Sequence, residues 1–352
     1  MNCFKVMLAR IYQFGLYVAQ TIVRFPEPKL FQGEGASNNI YQILKEKNIN
    51  RALLVVDDNL YHVPFTNEIT NALVDNNIEV NVFHNFKSNP TINNVEEGLK
   101  IYNDNRCKAV IGLGGGSSID IAKAIIARAA NPKKSLEQMK GILKVHHKLP
   151  LSIAIPTTAG TGSEATIATV ITNSDTHHKY AINDPKLIPD IAVLDPKLLV
   201  KLPSQITSTT GMDALTHAIE AYINHSHRKR SDKNALEAIK LIYENLYHSW
   251  LNPNDLKRRS NMQLAAYKAG VAFTNAYVGN IHALSHALSG QYNVPHGLAN
   301  SLILPIVLKK YGKAIYRPMA KIYNYIGMGA LNISKKENLT KGLNRHEYYS
   351  KK

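Results

Sequence analysis

Short apolar runs alternate with helical stretches between about residues 50 and 200, and this alternation constrains the fold more than any other feature. The runs predict strands at 52–57, 78–84, 109–113, 153–155 and 191–194. Helical periodicity predicts helices at about 67–74, 95–102 and 119–130. Strands that alternate with helices and carry few polar residues are typical of a parallel sheet covered on both faces. We therefore predict a Rossmann-like α/β domain in this part of the chain.

The pattern changes after Pro203. The runs at 206–223, 233–250 and 256–273 have a 3.6-residue periodicity without a strand signal, which predicts an all-α second domain. Two domains also suit a chain of 352 residues. The predicted division is an N-terminal extension, the α/β domain, the helical domain and a tail, at 1–27, 28–200, 201–328 and 329–352.

The charge and cysteine content exclude several classes of protein. The net charge is +16, but +9 of it lies in the last 44 residues, so the basic residues form a tail and not a nucleic-acid-binding face. We see no zinc-finger or aromatic nucleic-acid motif and expect no nucleic-acid partner. The two cysteines, Cys3 and Cys107, do not make a disulfide framework. They favour a cytoplasmic protein.

The N-terminal segment 3–24 is rich in apolar side chains but is interrupted by charged residues such as Lys5 and Arg10. It is therefore too polar for a membrane span, and no cleavage site indicates a signal peptide. Its periodicity predicts an amphipathic helix that packs on the body or on a second subunit, or contacts a membrane surface peripherally. From about Gly329 the polar, basic sequence predicts a poorly ordered tail.

A glycine-rich loop at 112–120 lies between a predicted strand and a predicted helix. Glycines let the backbone approach a phosphate, and a helix N-terminus favours an anion. Ser117 occupies the last glycine position of the usual dinucleotide fingerprint, so the loop alone fits either a phosphate site or a tight turn. Asp57 ends the first predicted strand, where it could bind a ribose and favour NAD over NADP, or simply shape a turn. The segment 156–164 adds hydroxyls at the same sheet edge, or is a polar loop.

The helical half carries a second cluster of reactive side chains. Asp213 and His217 are four residues apart, as are His282 and His286, and His296 follows in a turn. Residues at this spacing lie on one helical face and can reach a single cation. Four histidines and an aspartate in short segments therefore indicate a metal site. With no sulfur ligand, the set suits Fe(II) or Zn(II) and does not separate them.

Together these motifs resemble the iron-dependent (group III) alcohol dehydrogenase family over roughly residues 28–328. The matching segments are GGGSSIDIAK (114–123), PTTAGTGSEAT (156–166), DPKLIPDIAVLDP (184–196), GMDALTHAIEAY (211–222) and HALSHALSGQYNVPHG (282–297). Several long motifs in the same order are far more specific than one. The resemblance implies an α/β nucleotide domain followed by an all-helical metal domain, with the active site between them.

The resemblance also implies roles for individual residues. The implied metal ligands are Asp213, His217, His282 and His296, with His286 left as a proton relay near the nicotinamide. The implied coenzyme contacts are Gly114, Gly115, Gly116 and Ser117 at the pyrophosphate, Asp57 at the adenosine ribose, Thr157 and Thr158 on the adenine side, and Lys179 at the nicotinamide ribose. Asp120, at the start of the helix after the glycine loop, is counted with these coenzyme-binding residues.

The implied activity is hydride transfer between NAD(H) and a small primary alcohol or aldehyde, with a divalent metal, Fe(II) first and Zn(II) second, polarising the substrate oxygen. Two alternatives stay open. One is a glycerol-type polyol dehydrogenase on the same scaffold. The other is a truncated, catalytically silent relative kept for binding. We also expect a homo-oligomer.

Overall fold

The computed structural model describes Gly15 and residues 25–328, with gaps at 87–88, 174–178, 225, 227 and 293. The helix predicted for 3–24, apart from Gly15, and the tail predicted from 329 lie outside the described residues. Among the helices that are described, none is long and apolar enough to cross a membrane.

Six parallel strands form the central sheet. They are β1 Lys29–Gln32, β2 Arg51–Val56, β3 Glu79–Phe83, β4 Ala109–Gly114, β6 Leu151–Pro156 and β9 Ile191–Leu194. Their order in the sheet is β1-β9-β6-β4-β2-β3. The four apolar residues of β9 and all six of β4 are buried, as a strand covered on both faces requires. The five strands predicted from apolar runs all belong to this sheet, and the predicted fold class is confirmed.

Helices cover both faces of the sheet. They are α1 Ile40–Glu46, α2 Asp58–Tyr61, α3 Pro64–Val74, α4 Ile92–Asp104, α5 Gly116–Ala130 and α6 Leu136–Met139. Leu54 and Val56 of β2 pack with α1, α3 and the helical half, whereas Leu53 and Val55 pack with α4 and α5. Alternate residues of a strand point to opposite faces, so one apolar run serves two cores.

A smaller three-stranded sheet was not predicted from the sequence. It contains β5 Gly141–Ile142, β8 Lys179–Asn183 and β7 Ala168–Thr172, with β7 and β8 antiparallel. Buried and partly exposed residues alternate in β7 and β8, so neither strand presents the continuous apolar run by which the other strands were recognised. The short elements β1 and α1 were missed as well.

The second half is helical, as predicted. Its helices are α7 Ser204–Ile223, α8 Lys229–Leu251, α9 Leu256–Ala276, α10 Asn280–Tyr292, α11 His296–Tyr311 and α12 Tyr316–Tyr325. Alanines such as Ala214, Ala218 and Ala265 are completely buried where α7, α8 and α9 pack together. Small side chains allow these helices to approach closely. Helix α7, which carries Asp213 and His217, is therefore held firmly in place.

Candidate active site

The predicted coenzyme residues gather at one edge of the central sheet. Gly114 ends β4, and Asp57 and Thr157 directly follow the adjacent parallel strands β2 and β6, so all three lie where the carboxyl ends of these strands meet. From β2 the chain moves to β3 on one side, and then returns to β4 on the other. Such a reversal opens a crevice at the carboxyl ends of the strands, where open α/β sheets bind ligands.

The glycine loop has the geometry of a phosphate-binding turn. Gly114 has a φ of +145°, a conformation that residues with a side chain rarely adopt, and α5 begins two residues later. The Gly114 carbonyl accepts a hydrogen bond from the Thr157 amide at 3.0 Å, which ties the loops after β4 and β6 together. A Cβ on Gly115 would lie 3.7 Å from the Thr158 side chain. The loop therefore leaves the first amides of a 15-residue helix beside the predicted threonines.

The other predicted coenzyme residues have distinct surroundings. Asp57 is half-buried, and its Oδ1 accepts from the Asn59 amide at 3.1 Å. Lys179 donates to Asn89 Oδ1 at 2.6 Å. Asp120 differs from both, because its oxygens accept from Ser163 Oγ at 2.7 Å and from the Val170 amide at 3.0 Å. These bonds tie Asp120 to Ser163 and to strand β7, and its direct contact with coenzyme stays a prediction.

Helix α7 packs directly on this edge of the sheet. A Cβ on Gly160 would lie 2.6 Å from the Thr210 Cβ, so only glycine permits this contact without a shift of the loop or helix. Gln263 of α9 donates to the carbonyls of Pro156 and Asp195, each at 3.2 Å, and so ties the helices to β6 and β9. Asp213 lies one helical turn beyond Thr210. The predicted metal site therefore lies beside the sheet edge that carries the predicted coenzyme residues.

Three of the predicted metal ligands form a compact buried group. Asp213, His217 and His282 each offer one atom, and these atoms lie within 4.8 Å of one another. The Asp213 Oδ1 atom is 3.9 Å from His217 Nδ1 and 3.6 Å from His282 Nε2. The fourth predicted ligand, His296, lies with its Nε2 3.5 Å from Asp213 Oδ1 but is not part of the mutually close group.

These residues fit a divalent ion. Ligand atoms about 2.0–2.2 Å from a tetrahedral metal are about 3.4 Å apart, close to the spacings around Asp213. The buried His217 Nδ1 has no hydrogen-bond partner in the part of the chain that is described, which leaves it free to coordinate. Stacking of the His217 ring between Phe273 and His282, with centroids 4.3 and 4.2 Å away, fixes its plane.

The protonation states suit the same role. Burial opposes ionisation of Asp213, but the neighbouring histidines, His217 first, outweigh burial and lower the pKa of this carboxyl. Burial lowers the pKa of His217 to about 3, so this imidazole is neutral near pH 7. An ionised carboxylate and a neutral imidazole are the forms that bind a cation. Burial works against a charge on His282, yet hydrogen bonds to Asp213 and Glu220 raise its pKa to about 9, so a metal ion there competes with a proton.

His286, the predicted relay, lies on the same helix as His282 but is exposed. Its ring centroid is 6.2 Å from that of His282 and 4.7 Å from that of His296. Burial lowers the pKa of both His286 and His296, and the nearby charge of Lys179 adds to both shifts. The structure therefore brings this residue to the rim of the cluster, on the side of the α/β domain.

Two buried polar residues of the cluster were missed in the sequence. Glu220 accepts from His282 Nδ1 at 2.6 Å, and Asn300 donates to Asp213 Oδ1 at 2.7 Å while its Nδ2 lies 3.2 Å from His282 Nε2 and His296 Nε2. The spacing could have indicated both. Glu220 is seven residues after Asp213 and Asn300 is four after His296, so each shares a helical face with a predicted ligand.

A parallel nucleotide-binding sheet whose crevice adjoins a buried Asp/His cluster defines a metal-dependent dinucleotide oxidoreductase. Residues 27–196 match the family model described as iron-containing alcohol dehydrogenase, and residues 207–346 match its Fe-containing alcohol dehydrogenase C-terminal model. The chain belongs to the iron-containing alcohol dehydrogenase family. It is an NAD-dependent alcohol dehydrogenase (EC 1.1.1.-) that uses a metal held by an Asp/His site.

Individual relatives agree with this assignment. The chain is 38% identical over 283 residues to an NAD-dependent methanol dehydrogenase of Bacillus methanolicus, covering 80% of this chain and 74% of the relative. A solved 1,3-propanediol oxidoreductase superimposes with a TM-score of 0.90 at 33% identity, over 93% of this chain and 86% of that one. A sulfoacetaldehyde reductase of Bifidobacterium kashiwanohense, solved with NAD+, has a TM-score of 0.81 at 27% identity, over 93% and 85% of the two chains.

Proposed function

We propose that the enzyme interconverts a short primary alcohol and its aldehyde, with Fe(II) held by Asp213, His217, His282 and His296. The observation that carries this proposal is the convergence of a buried carboxylate and imidazoles beside the glycine loop. The names of the relatives, which include methanol and 1,3-propanediol as substrates, support a small and unbranched substrate. Both family models are described as iron-containing, which supports Fe(II) ahead of Zn(II) in this proposal.

Each part of the site has a task in this reaction. A bound divalent ion supplies Lewis acidity, which lowers the pKa of an alcohol and polarises an aldehyde carbonyl. Gly114, Gly115, Gly116 and Ser117 hold the pyrophosphate at the N-terminus of α5, with Thr157 and Thr158 on the adenine side. Lys179 would hold the nicotinamide ribose. These contacts would orient the nicotinamide toward the substrate carbon, for which the coenzyme would supply hydride chemistry.

His286 moves the proton in this proposal. Its exposed position at the rim lets an imidazole nitrogen exchange a proton with solvent, whereas the buried His282 cannot reach water as readily. This difference in exposure supports the separate roles of two histidines that share one helix.

Metal addition to the purified protein tests the proposed function. We expect NADH oxidation with short aldehydes to require Fe(II) or Zn(II), and to be faster with Fe(II), because the ion must polarise the carbonyl. The decrease in NADH absorbance measures it. A strong preference for glycerol with stoichiometric zinc would favour the polyol alternative. A melt that responds to neither NAD nor metal would favour the catalytically silent alternative.

Asp57 provides a separate prediction about the coenzyme. Replacing Asp57 with asparagine removes the repulsion between its carboxylate and the 2′-phosphate of NADP. The kcat/KM ratio of NADP to NAD should therefore rise by about 10-fold, which is equivalent to about 1.4 kcal/mol. An asparagine oxygen can still accept from the Asn59 amide, so the turn is kept. The matched control is Asp58→Asn, which removes the adjacent carboxylate near His84. An unchanged ratio in D57N would remove Asp57 from the coenzyme site.

The oligomeric state and location remain our proposals. We propose a cytoplasmic homo-oligomer, on the basis of the cysteine content and of the amphipathic segment 3–24. Peripheral membrane contact through that segment is the alternative use of the same residues.

A further inference from the structure

Glu220 of α7 contacts the start of α10, the helix that carries the predicted ligand His282. It lies two turns after Asp213 on α7, and the residue is 3% exposed. Its Oε2 accepts from His282 Nδ1 at 2.6 Å, and its Oε1 accepts from the backbone amide of Ile281 at 2.7 Å. A single carboxylate therefore holds both the imidazole of His282 and the first turn of the helix that carries it.

The hydrogen bond to Nδ1 determines which nitrogen of His282 is available. A carboxylate accepts and does not donate when ionised, so the proton of a neutral imidazole must lie on Nδ1. The lone pair then lies on Nε2, the atom that is 3.6 Å from Asp213 Oδ1 in the cluster. A carboxylate that accepts from a ligand histidine fixes the ring and strengthens the ligand nitrogen in metal sites generally.

We propose that Glu220 is a positioning residue that fixes the tautomer and orientation of His282, so that its Nε2 is presented to the metal together with Asp213. This inference rests on the proposed metal site. In this role Glu220 acts through His282 rather than as a ligand of the metal. Because α7 supplies Asp213, His217 and Glu220, the register of one helix sets two ligands directly and a third through a hydrogen bond.

A purely structural role is the competing explanation. The bonds from Ile281 and, at 3.4 Å, from the His282 amide satisfy donors at the start of α10, as a capping residue would. A cap alone stabilises the folded chain without any specific effect on the metal. The two explanations therefore differ in what they predict for metal affinity and for the Nδ1 proton.

The test compares Glu220→Gln with wild type in the full-length protein, using Zn(II) as the probe. Glutamine keeps the size of the side chain but removes the charge and one acceptor. We expect the Zn(II) dissociation constant to rise by about 10- to 100-fold. In proton NMR of histidine-labelled, zinc-loaded enzyme, the low-field Nδ1 proton resonance that disappears in H282A should shift or vanish in E220Q. A purely capping role changes neither.

Gly279→Ala provides a second variant that keeps the carboxylate. A Cβ at position 279 would lie 2.8 Å from Glu220 Oε1 and must displace it, so we expect weaker Zn(II) binding here too, by a smaller factor. The control is Glu237→Gln, which removes a carboxylate paired with Lys268 at 2.6 Å between α8 and α9, and should leave Zn(II) affinity unchanged.

Each outcome bears on one proposal. Wild-type affinity and an unshifted Nδ1 resonance in E220Q would overturn the positioning role while leaving the proposed function intact. If E220Q does not fold, unchanged affinity in G279A overturns the positioning role. If wild type binds neither Fe(II) nor Zn(II), the proposed function fails first and the inference falls with it.

Discussion

Alanine in place of His282 should remove bound metal and alcohol dehydrogenase activity together. We expect less than one tenth of the wild-type metal content after dialysis, and a fall in kcat/KM of at least about 1,000-fold, equivalent to about 4 kcal/mol of lost transition-state stabilisation. His282 is 1% exposed and lies between Asp213 and Glu220. Its loss would therefore leave a buried cavity flanked by two carboxylates and remove one of the four proposed ligands.

Metal analysis and NADH absorbance on the same sample measure the two effects. The matched control is His248→Ala, which removes an exposed histidine from α8 and should change neither quantity. The loss should persist at saturating NAD, because the coenzyme loops are unaltered. Wild-type metal occupancy in H282A would contradict the assignment of His282, and loss of activity with metal retained would move its role from binding to proton transfer.

The sheet could be predicted because each of its recognised strands is a self-contained signal. β4 and β9 are short apolar runs whose residues are all buried, so local sequence and final environment agree. The glycine loop was likewise recognisable in the sequence, because its backbone requires glycine: Gly114 adopts a φ of +145° that few other residues tolerate. Strands β7 and β8 give no such signal. Buried and partly exposed residues alternate in each, and the environment of these residues depends on the pairing of the two strands.

The arrangement of the metal cluster depends on tertiary packing that helical spacing does not determine. Spacing placed His282 and His286 on one face of a helix, but it could not decide which one is buried. Contacts of the His282 ring with Glu220 and His217 of α7 make that choice, leaving His282 at 1% exposure and His286 exposed. Helical spacing could have placed Glu220 and Asn300 on the same faces as predicted ligands, but it could not name their partners, because their hydrogen bonds join residues 62 and 87 positions apart in the chain. Such contacts follow from tertiary packing.

Replacing Gly114 with alanine should abolish useful NAD binding while leaving the metal cluster in place. A residue with a side chain is strained at a φ of +145°, by about 1–3 kcal/mol. The new Cβ would also lie 2.9 Å from the Ser118 Cβ in the first turn of α5 and 3.4 Å from Leu60. Relief of these contacts requires α5 to move away from the loop, which withdraws the helix N-terminus from the pyrophosphate.

We expect the NADH dissociation constant of G114A to rise by at least about 100-fold, or about 2.7 kcal/mol, measured by NADH fluorescence. Gly115→Ala tests the steric argument within the same loop, because its φ is −76° and its Cβ would lie an ordinary 3.7 Å from Thr158. G115A should therefore bind NADH more tightly than G114A and melt close to wild type. Zn(II) affinity should be unchanged in both variants. Equal NADH affinities for G114A and G115A would show that the backbone conformation of Gly114 does not control coenzyme binding, and the pyrophosphate would then have to be assigned to another turn of this sheet edge.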